Sequence, residues 1–274
     1  MRNIDQIIVS GQWEIEPTFG MQVLSKYVHD LELVTSGVLS FSELGYSQQR
    51  AALEPAFLNS DLSGRSALSS SDIPSNSLVK LSLSGAMRME DGLSSRGVRQ
   101  LIADIQAADA NPNVSGILIE VNSGGGESIA GAELQNALLD VQRNGKTKTL
   151  AYAIFMASAA VRGMLPVDYI MAHNNAAQIG SIGAMYSLDK SVLKYLKENI
   201  IEIYAEQSTN KNIESREALK GNFKPLQKLA TSINQHFLNE VDSHRNITGT
   251  ASEIAEVFTG KIYTADIALQ RARS

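Results

Sequence analysis

The chain contains no cysteine, which excludes a disulfide framework, a thiolate nucleophile and a metal site built from cysteine ligands. It also lacks the run of about eighteen apolar residues that a membrane-spanning helix needs. Residues 1–9 show no apolar core followed by a small-residue cleavage site. We therefore predict a cytoplasmic protein that is neither exported nor anchored, with no membrane span, no metal and no cofactor.

Positive charge is also scarce. The net charge is −5, and a nucleic-acid binder needs a basic surface for phosphate contacts, so we predict no nucleic-acid partner. Hydrophobic residues make up 43% of the chain and charged residues 19%, values typical of a globular protein with a substantial core. A length of 274 residues allows one large domain, with or without an appended segment.

The composition divides the chain into three parts. Residues 1–58 carry apolar positions at helical spacing, which predicts an N-terminal helical segment. Residues 59–77 contain eight serines and little apolar surface, which predicts a mobile linker. Residues 78–274 form the main predicted domain.

Strand and helix patterns alternate through the main domain, which predicts an α/β fold. Short apolar runs indicate strands, and apolar residues at three- and four-residue spacing indicate helices. We predict strands at 78–85, 114–121, 149–155 and 169–172, another ending at Tyr204, and helices at 93–110, 128–144, 187–199 and 214–245, with one more helix carrying Ser158.

A glycine triplet, Gly124-Gly125-Gly126, lies between a buried strand and a helix. Glycines let the backbone turn sharply and expose N–H groups, which can hold an oxyanion during acyl transfer. The alternatives are a plain tight turn and a phosphate-binding loop. No Lys-Ser/Thr pair follows the triplet, and this disfavours the phosphate loop.

Ser158 follows an apolar strand about thirty residues later, and Lys211 lies in a polar loop. A serine hydroxyl can attack a carbonyl, and a lysine can act as its base when burial lowers the lysine pKa. Taken alone, such a serine is usually a helix N-cap and such a lysine a solvated surface group. The combination with the glycine turn predicts a serine hydrolase, most simply a protease.

In combination these segments resemble the signal peptide peptidase A family of Ser/Lys proteases in the Clp/crotonase superfamily. The resemblance is carried by 117–126 (ILIEVNSGGG), 156–160 (MASAA), 180–183 (GSIG), 211–215 (KNIES) and 258–268 (FTGKIYTADIA). It covers about residue 78 to the end of the chain and implies repeated β-β-α units. Two departures are Ser123-Gly124, where the family usually has Ser-Pro, and Ala159-Ala160, where it usually has two glycines.

The resemblance also implies roles for individual residues. Ser158 would be the nucleophile and Lys211 its base. The amides of Gly125 and Ala159 would hold the oxyanion, and Gly126 would belong to the same oxyanion and substrate-binding site. An alternative is a triad in which His173, at the end of a strand, replaces Lys211 as the base.

Gly11–Pro17 resembles the opening of the tailed-phage branch of this family, the prohead or minor-capsid proteases. This implies a homo-oligomeric protease inside the procapsid whose substrate is the scaffolding protein. Three alternatives remain: a soluble bacterial enzyme resembling signal peptide peptidase, a catalytically silent capsid-assembly protein, and a crotonase-like acyl-CoA enzyme. The last would not need a serine at 158.

Overall fold

The computed structural model describes residues 73–91 and 96–271 continuously. Within the first 72 residues it describes only short pieces: 13–15, 26, 29–30, 32–34, 36–39, 44, 56–58 and 64–66. Most of the predicted N-terminal helical segment and most of the predicted linker therefore lie outside the described residues. The described pieces include a strand at Gly64–Ser66, within the span predicted as a linker.

Between residues 77 and 172 the described strands and helices follow the order that the sequence predicts, with one additional strand at Gly125–Glu127. Two further strands, Trp13–Ile15 and Ala56–Leu58, lie within the segment predicted to be helical. The strands are β1 (Trp13–Ile15), β2 (Ala56–Leu58), β3 (Gly64–Ser66), β4 (Ser77–Ser84), β5 (Val114–Ser123), β6 (Gly125–Glu127), β7 (Lys148–Ala157), β8 (Tyr169–Ala172), β9 (Gln178–Gly180) and β10 (Ile262–Thr264). The helices are α1 (Val98–Ala110), α2 (Ser128–Asn144), α3 (Ala159–Gly163), α4 (Lys190–Asn199), α5 (Ile213–Leu219), α6 (Lys224–His244), α7 (Ala251–Val257) and α8 (Ala265–Arg271).

Most strands form one sheet in the order β10-β9-β7-β5-β4-β2-β3, with β8 also paired to β7. The central strands β4, β5 and β7 are parallel, and β8 and β9 both run parallel to β7. Strands β2, β3 and β10 join antiparallel. Separately, β1 pairs antiparallel with β6. The predicted α/β class is confirmed, with a sheet rich in parallel strands.

The core lies on one face of the central strands. Ile117, Ile119 and Val121 of β5 are buried on that face, whereas Leu118 and Glu120 on the opposite face are only half-buried. Leu134 and Leu138 of α2 and Ile105 of α1 are almost completely buried in the same cluster. The apolar runs that predicted buried strands therefore identified the core. None of the helices within the described ranges is long and apolar enough to cross a membrane.

Three local predictions were wrong. The helix predicted at 214–245 is two helices, because the chain turns at Gly221, whose φ of 80° a helix does not allow. The residues before Tyr204 form no strand, and Ile201 and Ile203 are exposed there. Ser158 precedes its helix rather than lying inside it.

Candidate active site

Ser158 lies at the junction between β7, which ends at Ala157, and α3, which begins at Ala159. Its backbone has φ 56° and ψ −120°, a conformation that residues other than glycine rarely adopt. Only 1% of the residue is exposed. Strained backbone of this kind is found mostly where the surrounding structure fixes a functional side chain. The same strand-to-helix placement is how many hydrolases present a nucleophilic serine.

The turn after β9 holds Ser158 at two points. The Ser158 N–H donates to the carbonyl of Gly180 at 2.9 Å, and the Ser158 hydroxyl donates to the carbonyl of Gly183 at 3.3 Å. Gly180 must be glycine, because a Cβ there would lie 2.5 Å from the carbonyl oxygen of Lys261. The segment 180–183 (GSIG) therefore supports Ser158 directly.

The last two glycines of the triplet, Gly125 and Gly126, begin β6, and Met87 bonds to one side of this strand. The Met87 N–H donates to the Gly125 carbonyl, and the Glu127 N–H donates to the Met87 carbonyl, both at 2.9 Å. A Cβ on Gly126 would lie 2.1 Å from the Met87 carbonyl oxygen, so only glycine fits there. The Gly125 N–H donates to the buried hydroxyl of Ser123 at 3.2 Å.

The glycine strand and the serine both follow the end of the β5–β7 pairing. The last paired residues are Ser123 on β5 and Met156 on β7, and Gly125 and Ser158 each come two residues later in the sequence. Helix α3, whose first residue is Ala159, contacts β6. The first N–H groups of a helix have no acceptor within the helix, so the Ala159 amide is a suitable oxyanion donor. The structure thus brings four predicted site residues together: Ser158, Ala159, Gly125 and Gly126.

Lys211 is the predicted site residue that the structure does not join to Ser158. It lies in an exposed turn just before α5. Its amino group has no hydrogen bond or ion pair with any residue in the described ranges, and the Ser158 hydroxyl is bonded to Gly183 instead. Arg216 supports the turn through bonds to the carbonyls of Thr209 and Lys211 at 2.9 and 3.4 Å.

His173, the alternative base, is held elsewhere. The backbone N–H of His173 donates to the carbonyl of Ala153, and the imidazole Nδ1 lies 2.7 Å from the hydroxyl of Tyr152. Ala153 precedes Ser158 by five residues along β7, roughly 16 Å at the usual rise of a strand. The imidazole is therefore out of hydrogen-bonding reach of the Ser158 hydroxyl.

Sequence reasoning missed a buried charge beside Ser158. Arg162, one turn after Ser158, is 7% exposed and forms a two-point ion pair with Glu240 of α6 at 2.6 and 2.8 Å. It also donates to the hydroxyl of Ser128, the first residue of α2, at 2.9 Å. An arginine within an otherwise small and apolar stretch was the signal, but its partner lies 78 residues away.

A cavity of about 620 Å³ lies between α4 and α5. Val192, Leu193 and Leu196 line its apolar wall, and Arg216 lines its polar side. None of the predicted site residues lines it. The predicted active site is therefore separate from this cavity.

No family model matches the chain. A protein of Methanocaldococcus jannaschii named "Putative protease" is 29% identical to it over 169 residues, which is 61% of this chain and 52% of that protein. The chain therefore spans about half the length of this relative.

Solved structures similar to the chain include two enoyl-CoA hydratases. The one from Bacillus anthracis has a TM-score of 0.36 and 12% identity, over 70% of this chain and 63% of that one. The one from Shewanella pealeana has a TM-score of 0.34 and 12% identity, over 71% and 61%. The chain spans less than two thirds of either enzyme.

Proposed function

We propose that the protein is a serine endopeptidase in which Ser158 is the nucleophile. The observation that carries the proposal is the buried, strained conformation of Ser158 beside the glycine strand and at the start of α3. Attack by the Ser158 hydroxyl on a peptide carbonyl would place the oxyanion near the Gly125 and Ala159 amides. The Gly125 N–H, which donates to the Ser123 hydroxyl in the structure, would then donate to the oxyanion instead. The relative from M. jannaschii, whose name is that of a protease, supports the same reaction class.

Lys211 is the proposed base, and it would act from a neighbouring subunit. Its side chain is exposed and bonded to nothing in the described ranges, whereas a lysine base needs a site that excludes water. Four apolar residues that precede Lys211 are also exposed: Tyr195, Ile200, Ile201 and Ile203. A second copy of the chain packed on this surface would bury it and bring Lys211 to the neighbouring Ser158. The proposed enzyme is therefore a homo-oligomer.

The proposed biological role is head maturation in a tailed phage, with scaffolding protein as the substrate inside the procapsid. It rests on the resemblance of Gly11–Pro17 and the segments after residue 78 to the phage branch of the signal peptide peptidase A family. The alternative is a soluble bacterial protease of the same family. In both roles the chemistry at Ser158 is the same.

The experiment that tests the proposed reaction is labelling with a fluorophosphonate, which reacts with activated serines. We expect stoichiometric labelling of the purified protein and none of the Ser158→Ala variant. Absence of labelling in a folded, oligomeric sample would contradict a serine hydrolase. Mass mapping of the label to a residue other than Ser158 would contradict the assignment.

The second candidate is a catalytically silent capsid-assembly protein. The Ser158 hydroxyl is bonded to the Gly183 carbonyl rather than to Lys211 of the same chain, and this favours the second candidate. The two candidates differ in peptide hydrolysis, measured at protein concentrations that support the oligomer. Turnover of an unstructured protein such as casein, lost in Ser158→Ala, would exclude the silent protein.

A further inference from the structure

The chain places one of its own segments along the glycine strand of the candidate active site. Strand β1 pairs antiparallel with β6, with Trp13 opposite Glu127, Glu14 opposite Gly126 and Ile15 opposite Gly125. These contacts join residues more than a hundred positions apart in the sequence. The same strand carries the proposed oxyanion amide of Gly125.

The backbone of β6 has one side available for such pairing. The Gly125 carbonyl and the Glu127 N–H are both bonded to Met87. Successive residues of a strand direct their N–H and C=O groups to opposite sides. The N–H and C=O of Gly126 therefore face away from Met87, toward Glu14 of β1. Any extended peptide that uses this side of the glycine strand must occupy the place of β1.

Strand β1 runs antiparallel to β6 and ends at the residue opposite Gly125. Because the pairing is antiparallel, the chain runs from Glu127 toward Gly125 and reaches Ile15 at the level of Gly125. The helix that begins directly after Ser158 contacts β6. Ile15 is therefore the residue of β1 that lies opposite the proposed oxyanion amide of Gly125.

We propose that residues 13–15 act as an internal peptide ligand that competes with substrate for the side of β6 that faces away from Met87. The substrate would be an extended peptide that adds a strand to Gly125–Glu127, with the carbonyl to be attacked placed opposite Gly125. Main-chain hydrogen bonds would supply the binding, as in other cases of strand addition. A ladder of three residues is short, so a longer peptide can displace it. This inference rests on the proposed peptidase function.

The test compares two variants that differ only in the backbone of β1. Glu14→Pro removes the N–H that faces Gly126, whereas Glu14→Ala keeps it. Both are made in the full chain together with Ser158→Ala, so that no peptide is hydrolysed. The probe is a fluorescein-labelled peptide of residues 11–18, followed by fluorescence anisotropy. Equal circular dichroism spectra and unfolding temperatures show that both variants fold.

We expect the Glu14→Pro protein to bind the peptide at least about tenfold more tightly than the Glu14→Ala protein. An internal competitor acts at a high effective concentration, and proline releases it. Equal affinities, or no binding by either variant, would overturn the inference.

A second measurement needs no change in β1. Trp13 is the only tryptophan of the chain, so its fluorescence reports on β1 alone. The Ser158→Ala protein is titrated with the same peptide, in which phenylalanine replaces tryptophan. The Trp13 emission should change as peptide is added and level off when the binding site is saturated. An emission that stays constant while the peptide binds would overturn the inference.

Hydrolysis by the unmodified chain is measured separately. If the unmodified chain hydrolyses the peptide but the two Glu14 variants bind it with equal affinity, this inference is overturned and the proposed function stands. The expected binding difference without labelling or turnover would overturn the proposed function and leave a peptide-binding site.

Discussion

Arg162 and Glu240 form a two-point ion pair that ties α3, the helix directly after Ser158, to the long helix α6. The Arg162 side chain is 8% exposed and that of Glu240 is 29% exposed. The Arg162 guanidinium also lies 5.8 Å from the ring centroid of Phe237, so it packs against this ring in addition to its ion pair with Glu240. The pair holds α3, and with it the start of the proposed oxyanion site, against the C-terminal part of the chain.

Replacing Glu240 by alanine should lower the free energy of unfolding by about 2 to 4 kcal/mol. The loss comes from leaving the Arg162 charge buried without its partner, and the partial exposure of Glu240 keeps it below the cost of a fully buried pair. Urea unfolding of Glu240→Ala and of the isosteric Glu240→Gln measures it. We expect a smaller loss for Glu240→Gln, since the amide oxygen still accepts a hydrogen bond. Equal stability of Glu240→Ala and the unmodified chain would show that the pair contributes nothing.

Ser158→Ala should reduce peptide hydrolysis by about a thousandfold or more, because the proposed nucleophile is lost. Ser158→Gly should be equally inactive but about 1 kcal/mol more stable than Ser158→Ala, since glycine adopts a φ of 56° without strain. Chemical denaturation of the two inactive variants compares them directly. A glycine variant less stable than the alanine variant would contradict strain at this position.

Lys211→Ala should be inactive, and Lys211→Arg should not restore activity, because arginine stays protonated and cannot accept the serine proton. His173→Ala should keep near-normal activity. If the base comes from a neighbouring subunit, mixing Ser158→Ala with Lys211→Ala protein should restore part of the activity. Mass measurement shows whether an oligomer contains both variants. If such mixed oligomers recover no activity, the base lies in the same chain as its serine.

Gly126→Ala should cost the protein more stability than Gly145→Ala. A methyl group on Gly126 would lie 2.1 Å from the Met87 carbonyl oxygen, so the backbone must shift. Gly145 has φ 68° and open space around it, so alanine there costs only about 1 kcal/mol for the left-handed conformation. Thermal unfolding of the two variants provides the comparison. Similar losses would mean that the glycine strand can move away from Met87.

Acid should weaken the C-terminal part of the chain through Glu253. The N–H of Thr250, the guanidinium of Arg271 and the Thr250 hydroxyl lower the pKa of Glu253 from 4.5 to about 2. A lowered pKa gives stability that is present above pH 4.5 and is lost as the pH falls toward about 2. Unfolding measured across that range should therefore be less dependent on pH in Glu253→Gln. An identical pH dependence in both proteins would show that Glu253 does not contribute.

The order of strands and helices between residues 114 and 172 was predicted from the sequence, because apolar periodicity is a local property. The break at Gly221 was missed for the opposite reason. The apolar spacing continues across it, and only the positive φ of Gly221 separates α5 from α6. The roles assigned to Ser158, Lys211, Gly125, Gly126 and Ala159 remain predictions from the family resemblance.

The sequence by itself determined the α/β class, the glycine turn after a buried strand and the serine at the end of the next strand. Each of these depends on residues within a few positions of one another. Only the tertiary structure decided that Gly180 and Gly183 hold Ser158, that Arg162 pairs with Glu240, and that Trp13–Ile15 lies on the glycine strand. Those contacts join distant parts of the chain, and no local pattern specifies which partners meet.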